Sequence, residues 1–164
     1  MRYLIPAALC LALGLACGGG SKAADGPSVT TATREVQLGR EIGQTYLAML
    51  DDTQAMLAMH LPADQLRPAL SRLRDDYKVR FANLGCLRED MNDAGRAEVD
   101  RQARLYIDQN GSSDLAWLNQ ASTTYGATDP AVPALLAEIK ALNEYAFFEL
   151  LQRQQPGETV QCTS

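Results

Sequence analysis

The chain holds one histidine, one tryptophan and three phenylalanines among its 164 residues. A single histidine excludes the paired Glu-x-x-His motifs of di-iron bundles and the multi-imidazole sites that hold zinc. Cys-x-x-Cys-His is absent, which excludes haem attached through thioethers. The sequence also lacks a Gly-x-Ser-x-Gly elbow, a phosphate loop and a Cys–His nucleophile pair close in sequence. Positive charge is in deficit: 15 basic residues face 20 acidic ones, for a net charge of −5. That balance argues against a nucleic-acid partner. No apolar run reaches the ~20 residues that a membrane-spanning helix needs.

The longest apolar run is Tyr3 to Ala16, preceded by Arg2 and ending in small residues. A positive start, a short apolar stretch and small residues at its end describe a secretory signal peptide, residues 1–16. The junction Leu13-Gly14-Leu15-Ala16-Cys17 resembles the lipobox of bacterial lipoproteins, with Gly14 at the place where that family usually carries leucine. The resemblance covers only this N-terminal stretch. It implies that Cys17 is acylated and becomes the first residue of the mature chain. Gly18 after the cysteine, where an aspartate would signal retention, resembles the outer-membrane sorting pattern of enteric lipoproteins. The glycine string also resembles that of some surface-displayed lipoproteins, so either side of the outer membrane fits.

Cysteine parity points the same way. Cys10 leaves with the signal, and lipidation of Cys17 consumes a thiol that would otherwise be an odd one in an oxidising compartment. Cys86 and Cys162 then remain as an even pair, expected to form a disulfide. Residues 17–32 are rich in Gly, Ser and Ala and contain Pro27, the composition of a flexible tether and not of a core element. Residues 33–154 form the folded domain, and 155–164 a C-terminal tail.

The domain reads as all-α. Alanine, leucine, arginine, glutamine and glutamate dominate it, and no alternating strand pattern persists. Ile42, Tyr46, Met49, Thr53, Met56 and His60 recur at three- and four-residue steps, widened by Leu47, Leu50 and Leu57, so a helix is expected over 33–60. Pro62 ends it. Leu66, Leu70, Leu73, Tyr77, Phe81 and Leu84 mark a second helix running to Cys86 or Arg88. Asn92 or Asp93 caps a third, carrying Val99, Ala103, Tyr106 and Ile107. Asn110-Gly111-Ser112-Ser113 interrupts it, and the chain resumes with Leu115, Trp117, Leu118 and Tyr125, with Ser113 as the expected cap. After a loop over Gly126–Pro133, a single last helix is expected from Pro130 to Gln154 through Leu135, Ile139, Leu142, Phe147 and Leu150. Helix lengths match if the two parts of the third segment stack end to end, which predicts an up-down four-helix bundle with an interrupted third helix. Cys86 and the tail then meet at one end, and the loops His60–Asp64 and Gly126–Pro133 at the other.

Few residues suggest chemistry. Met56, Met59 and His60 are close in sequence, and thioether plus imidazole suits copper(I) or an axial haem ligand, so a haem- or copper-binding bundle is the alternative reading. Methionines that fill a core and a histidine at a helix end explain the same residues without a metal. The acidic pairs Asp51-Asp52, Asp75-Asp76 and Glu89-Asp90 diverge around a helix and suit solvated faces, with Asp76–Arg80 and Asp100–Arg104 at ion-pair spacing. The leading expectation is therefore a non-enzymatic binding or adaptor protein of the bacterial envelope, without a cofactor. The membrane would hold it through acyl chains at Cys17, and it would meet an envelope protein partner at the end away from the tether.

Overall fold

The computed structural model describes residues 33–111 and 115–162, so the expectations for the signal peptide, Cys17, the tether and a Ser113 cap lie outside the described residues. Every regular element among the described residues is helical. None of these helices is long and apolar enough to cross a membrane.

Helix α1 (Arg34–Ala58) begins where the Thr33 hydroxyl accepts the Val36 N–H at 3.4 Å. It ends at His60, a non-glycine residue with φ 51 in the left-handed region. That reversal lets Pro62, which has no N–H to donate, open α2 (Ala63–Glu89) with its carbonyl accepting from Leu66. The Asn92 side chain accepts the Gly95 N–H at 2.9 Å and starts α3 (Asp93–Asn110). Helix α4 (Ala116–Gly126) and α5 (Ala131–Lys140) follow, then a 3-10 turn over Leu142–Ala146 and α6 (Phe148–Gln154).

Helices α1 and α3 lie side by side and run the same way, with Gly39 against Val99, Gly43 against Ala103 and Leu47 against Gly111. The approach is close because Gly39 has no side chain: a Cβ there would sit 2.5 Å from Gln102 Cβ and 2.6 Å from the Val99 carbonyl oxygen. Helix α4 then lies beside the far end of α1, where the Tyr125 hydroxyl donates to the Leu61 carbonyl at 3.1 Å. Helix α5 follows α2 in the direction of α2, through Arg67–Asp129 at 3.3 Å and Arg74–Glu138 at 2.8 Å. Together the helices form a bundle around one core, with Ile42, Met49, Leu66, Phe81, Val99, Val132 and Ile139 among its buried side chains.

The single last helix expected over Pro130–Gln154 is corrected: it breaks after Lys140 into α5, the 3-10 turn and α6. On an unbroken helix, at about 100° per residue, Leu135, Ile139, Leu142 and Ala146 share a face, whereas Leu151 lies about 140° from Ala146. The tighter turn and the extended Phe147 (φ −133, ψ 81) reset the phase, and Leu151, not Leu150, becomes the buried residue. The break also needs Gly85. A Cβ there would come within 2.5 Å of both the Tyr145 carbonyl oxygen and the Phe148 ring.

Cys86 and Cys162 are joined by a disulfide, as the cysteine parity predicts. It ties the tail to α2, and Lys78–Glu158 at 3.0 Å and Gln155–Glu144 at 3.2 Å fasten the same segment. The bridge and the start of α1 lie at one pole of the bundle, and His60 lies at the other.

Candidate functional site

Polar side chains gather at both poles and along α2 at Arg74 and Lys78. At the disulfide pole Arg88 is buried, and none of its donor nitrogens is idle. Its Nε and Nη2 donate to the two Asp100 carboxylate oxygens at 2.8 and 3.0 Å, and Nη1 donates to Glu89 at 2.7 Å and Glu149 at 3.1 Å. The Phe147 ring covers the guanidinium at 5.5 Å. Burial opposes the charge most strongly, yet Asp100, Glu149 and Glu89 outweigh it and leave the Arg88 pKa raised. Arg96 extends the cluster to Glu89, Glu149 and Asp93. This cluster joins α2, α3 and α6. Asp100 is thus engaged by Arg88, across an interface, and not by Arg104 at the spacing the sequence offered.

The remaining shifted groups also move in directions that fix structure. Tyr77 donates to Asp52 at 2.7 Å, and burial together with that carboxylate pushes its phenol up to about 12. Burial raises Tyr145 as well, the wrong direction for a phenolate base. Its hydrogen bond to Lys78, followed by that of Glu158, keeps the lysine protonated. Arg80 stacks 4.7 Å above the Tyr77 ring, so it too is occupied at a place the sequence alone does not indicate.

Met56, Met59 and His60 do not converge. The two methionines line a groove between α1 and α2 with Asp52, Tyr77 and Arg80, whereas His60 lines a different groove between α1 and α4. Among the described residues, no group of three or more His, Cys, Asp or Glu side chains is arranged to hold a metal ion.

At the His60 pole the two loops lie together. Tyr125 reaches across to Leu61, Arg67 to Asp129, and the loop residues His60, Pro62, Asp64, Ala127 and Thr128 are exposed. Beside them an open α1–α4 groove of about 420 Å³ runs between Gln54 and Leu57 on one wall and Trp117, Gln120, Thr124 and Tyr125 on the other. Trp117 and Tyr125 are half-buried against the core, which holds their rings in place. The sequence places Trp117 and Tyr125 on one helical segment with Leu115 and Leu118, and it does not foretell that they share a groove with α1. No protein-family model, no curated protein and no solved structure matches this chain.

Proposed function

We propose that this is a lipid-anchored protein of the bacterial outer membrane, an up-down four-helix bundle that works by binding and not by catalysis. The observation that carries the reading is the pairing of the two exposed loops at the His60 pole. That pole lies a whole α1 length, about 37 Å at 1.5 Å per residue, from Thr33, where the tether joins the body. A partner approaching from beyond the membrane surface meets these loops first. The parallel course of α3 beside α1 and of α5 beside α2, with α4 continuing past Leu47 toward Leu61, supports the up-down arrangement and an interrupted third arm. The fourth arm is interrupted as well.

The Cys86–Cys162 bridge fits an oxidising compartment, in keeping with export. Binding is favoured over catalysis because every donor nitrogen of the buried Arg88 is engaged and the shifted tyrosines are raised. The acyl chains, at ~0.8 kcal/mol per buried CH₂, supply the membrane attachment without help from an acidic body. Growth of cells with a clickable palmitate analogue tests the anchor. The reading expects label in the wild-type chain and none in Cys17→Ala, with Cys17→Ala released from the membrane fraction. Unlabelled wild-type protein sinks the anchor. Photo-crosslinkers placed at Asp64 and Thr128 in intact cells test the pole: the reading expects crosslinks there and none from a probe at Arg153.

A further inference from the structure

We propose that the α1–α4 groove is a binding site for an uncharged saccharide, stacked on Trp117 and hydrogen-bonded by Gln54 and Gln120. The proposal rests on the reading of the His60 pole as the binding pole and names the ligand class it takes.

The argument begins with charge. The other four grooves described on this bundle each mix acidic and basic side chains: Arg74 with Glu138, Arg88 with Glu149, Arg72 with Asp76, and Arg101 with Asp108. The α1–α4 groove alone has no Asp, Glu, Lys or Arg in its lining, on a chain where 21% of residues carry charge. A cationic ligand finds no carboxylate here, an anionic one finds no lysine or arginine, and a neutral one is not opposed. Its volume of about 420 Å³ falls in the range of small-molecule sites, roughly 300–1,000 Å³.

The polar groups present narrow the chemistry further. Gln54 and Gln120 stand on opposite walls, and no hydrogen bond engages either side-chain amide among the described residues. Each amide offers two donors and an acceptor, a set that matches sugar hydroxyls, which are donors and acceptors at once. Trp117 lines the same wall as Gln120, and an indole is a flat apolar surface of the kind to which the C–H face of a pyranose ring packs. The wall is set before any ligand arrives. Tyr125 is held by its hydrogen bond to Leu61 and Trp117 by the core behind it, so little side-chain freedom is left to lose on binding.

Trp117 is the chain's only tryptophan, so its emission, excited at wavelengths that the six tyrosines do not absorb, reports on this groove. The full chain, purified in a detergent without a sugar headgroup, is titrated with maltotetraose, cellotetraose and N-acetylchitotetraose, with tetragalacturonate as the charged control. The proposal expects a saturable change in emission with at least one neutral oligosaccharide and none with the uronate. Calorimetry should give the same affinity. Trp117→Ala should weaken the calorimetric signal at least tenfold, and Gln54→Ala or Gln120→Ala by about three- to tenfold, the loss of one or two hydrogen bonds. The two glutamines are exposed, so their variants should melt as the wild type does, which separates lost binding from lost fold. Failure of all three neutral oligosaccharides up to millimolar concentration overturns the proposal, as does equal binding of the uronate or full affinity in the glutamine double variant. Crosslinks to an envelope protein from Asp64 and Thr128, without saccharide binding, would leave the pole as the binding end and overturn the ligand class alone.

Discussion

Arg88 and Asp100 meet across the α2–α3 interface in a bidentate pair of 2.8 and 3.0 Å, with the arginine side chain 4% exposed and the aspartate 31%. The unequal burial predicts unequal costs. Asp100→Ala leaves a buried cation with only Glu89 and Glu149 and is expected to cost about 2–3 kcal/mol, whereas Arg88→Met removes the buried charge itself and is expected to cost about 1 kcal/mol or less. Urea denaturation of the two variants checks the order. A larger loss for Arg88→Met contradicts the assignment of the burden to the arginine.

Gly39 offers a test in which the sign alone decides. In an exposed helix interior, Gly→Ala gains up to about 1 kcal/mol from helix propensity. Here the new Cβ meets Gln102 and the Val99 carbonyl, so Gly39→Ala is expected to destabilise by about 1–3 kcal/mol. A raised melting temperature would place α3 farther from α1 than the structure has it.

How much of this was legible in the sequence follows from how each feature is encoded. The all-α class, the breaks at Pro62 and Gly111, the Asn92 cap and the Cys86–Cys162 bridge arise from local chemistry or from simple parity, and all were readable. The break after Lys140 contains neither proline nor glycine. Its only trace is the phase mismatch between Ala146 and Leu151, which a stripe drawn through Leu150 conceals. The partners of Arg88 lie on three separate helices, and ion-pair spacing within one helix pointed Asp100 toward Arg104 instead. The groove at Trp117 is likewise a product of packing: Gln54 and Gln120 are unremarkable until α1 and α4 lie side by side.

Tyr77 sets a pH limit on the alkaline side. Its folded phenol lies near 12, raised from 10 by burial and by Asp52, so the folded state favours the neutral form. The stability this contributes is fully present below the unfolded pKa of about 10 and is lost as pH rises through 12. The loss should amount to about 2 kcal/mol, and Tyr77→Phe should flatten that part of the stability curve. Denaturation midpoints measured across this range, beside tyrosinate absorbance, check both the direction and the residue.

The tail from Gln155 to Cys162 depends on its covalent tie. Its ion pair, Lys78–Glu158, joins two side chains that are each about two-fifths exposed, and such a pair contributes about 0–1 kcal/mol. That is too little to order eight residues, each of which surrenders about 1–2 kcal/mol of backbone entropy. The disulfide offsets part of that cost, because it joins positions 76 residues apart in the unfolded chain as well, and the packing of Val160 against the core offsets more. The double variant Cys86→Ala/Cys162→Ala should therefore lose up to about 4.5 kcal/mol in chemical denaturation. It should also exchange the Glu158 amide, which donates to the Gln155 carbonyl at 2.9 Å, at the rate of free peptide. Protection of that amide without the bridge would mean that the contacts to Lys78 and Glu144 hold the tail by themselves.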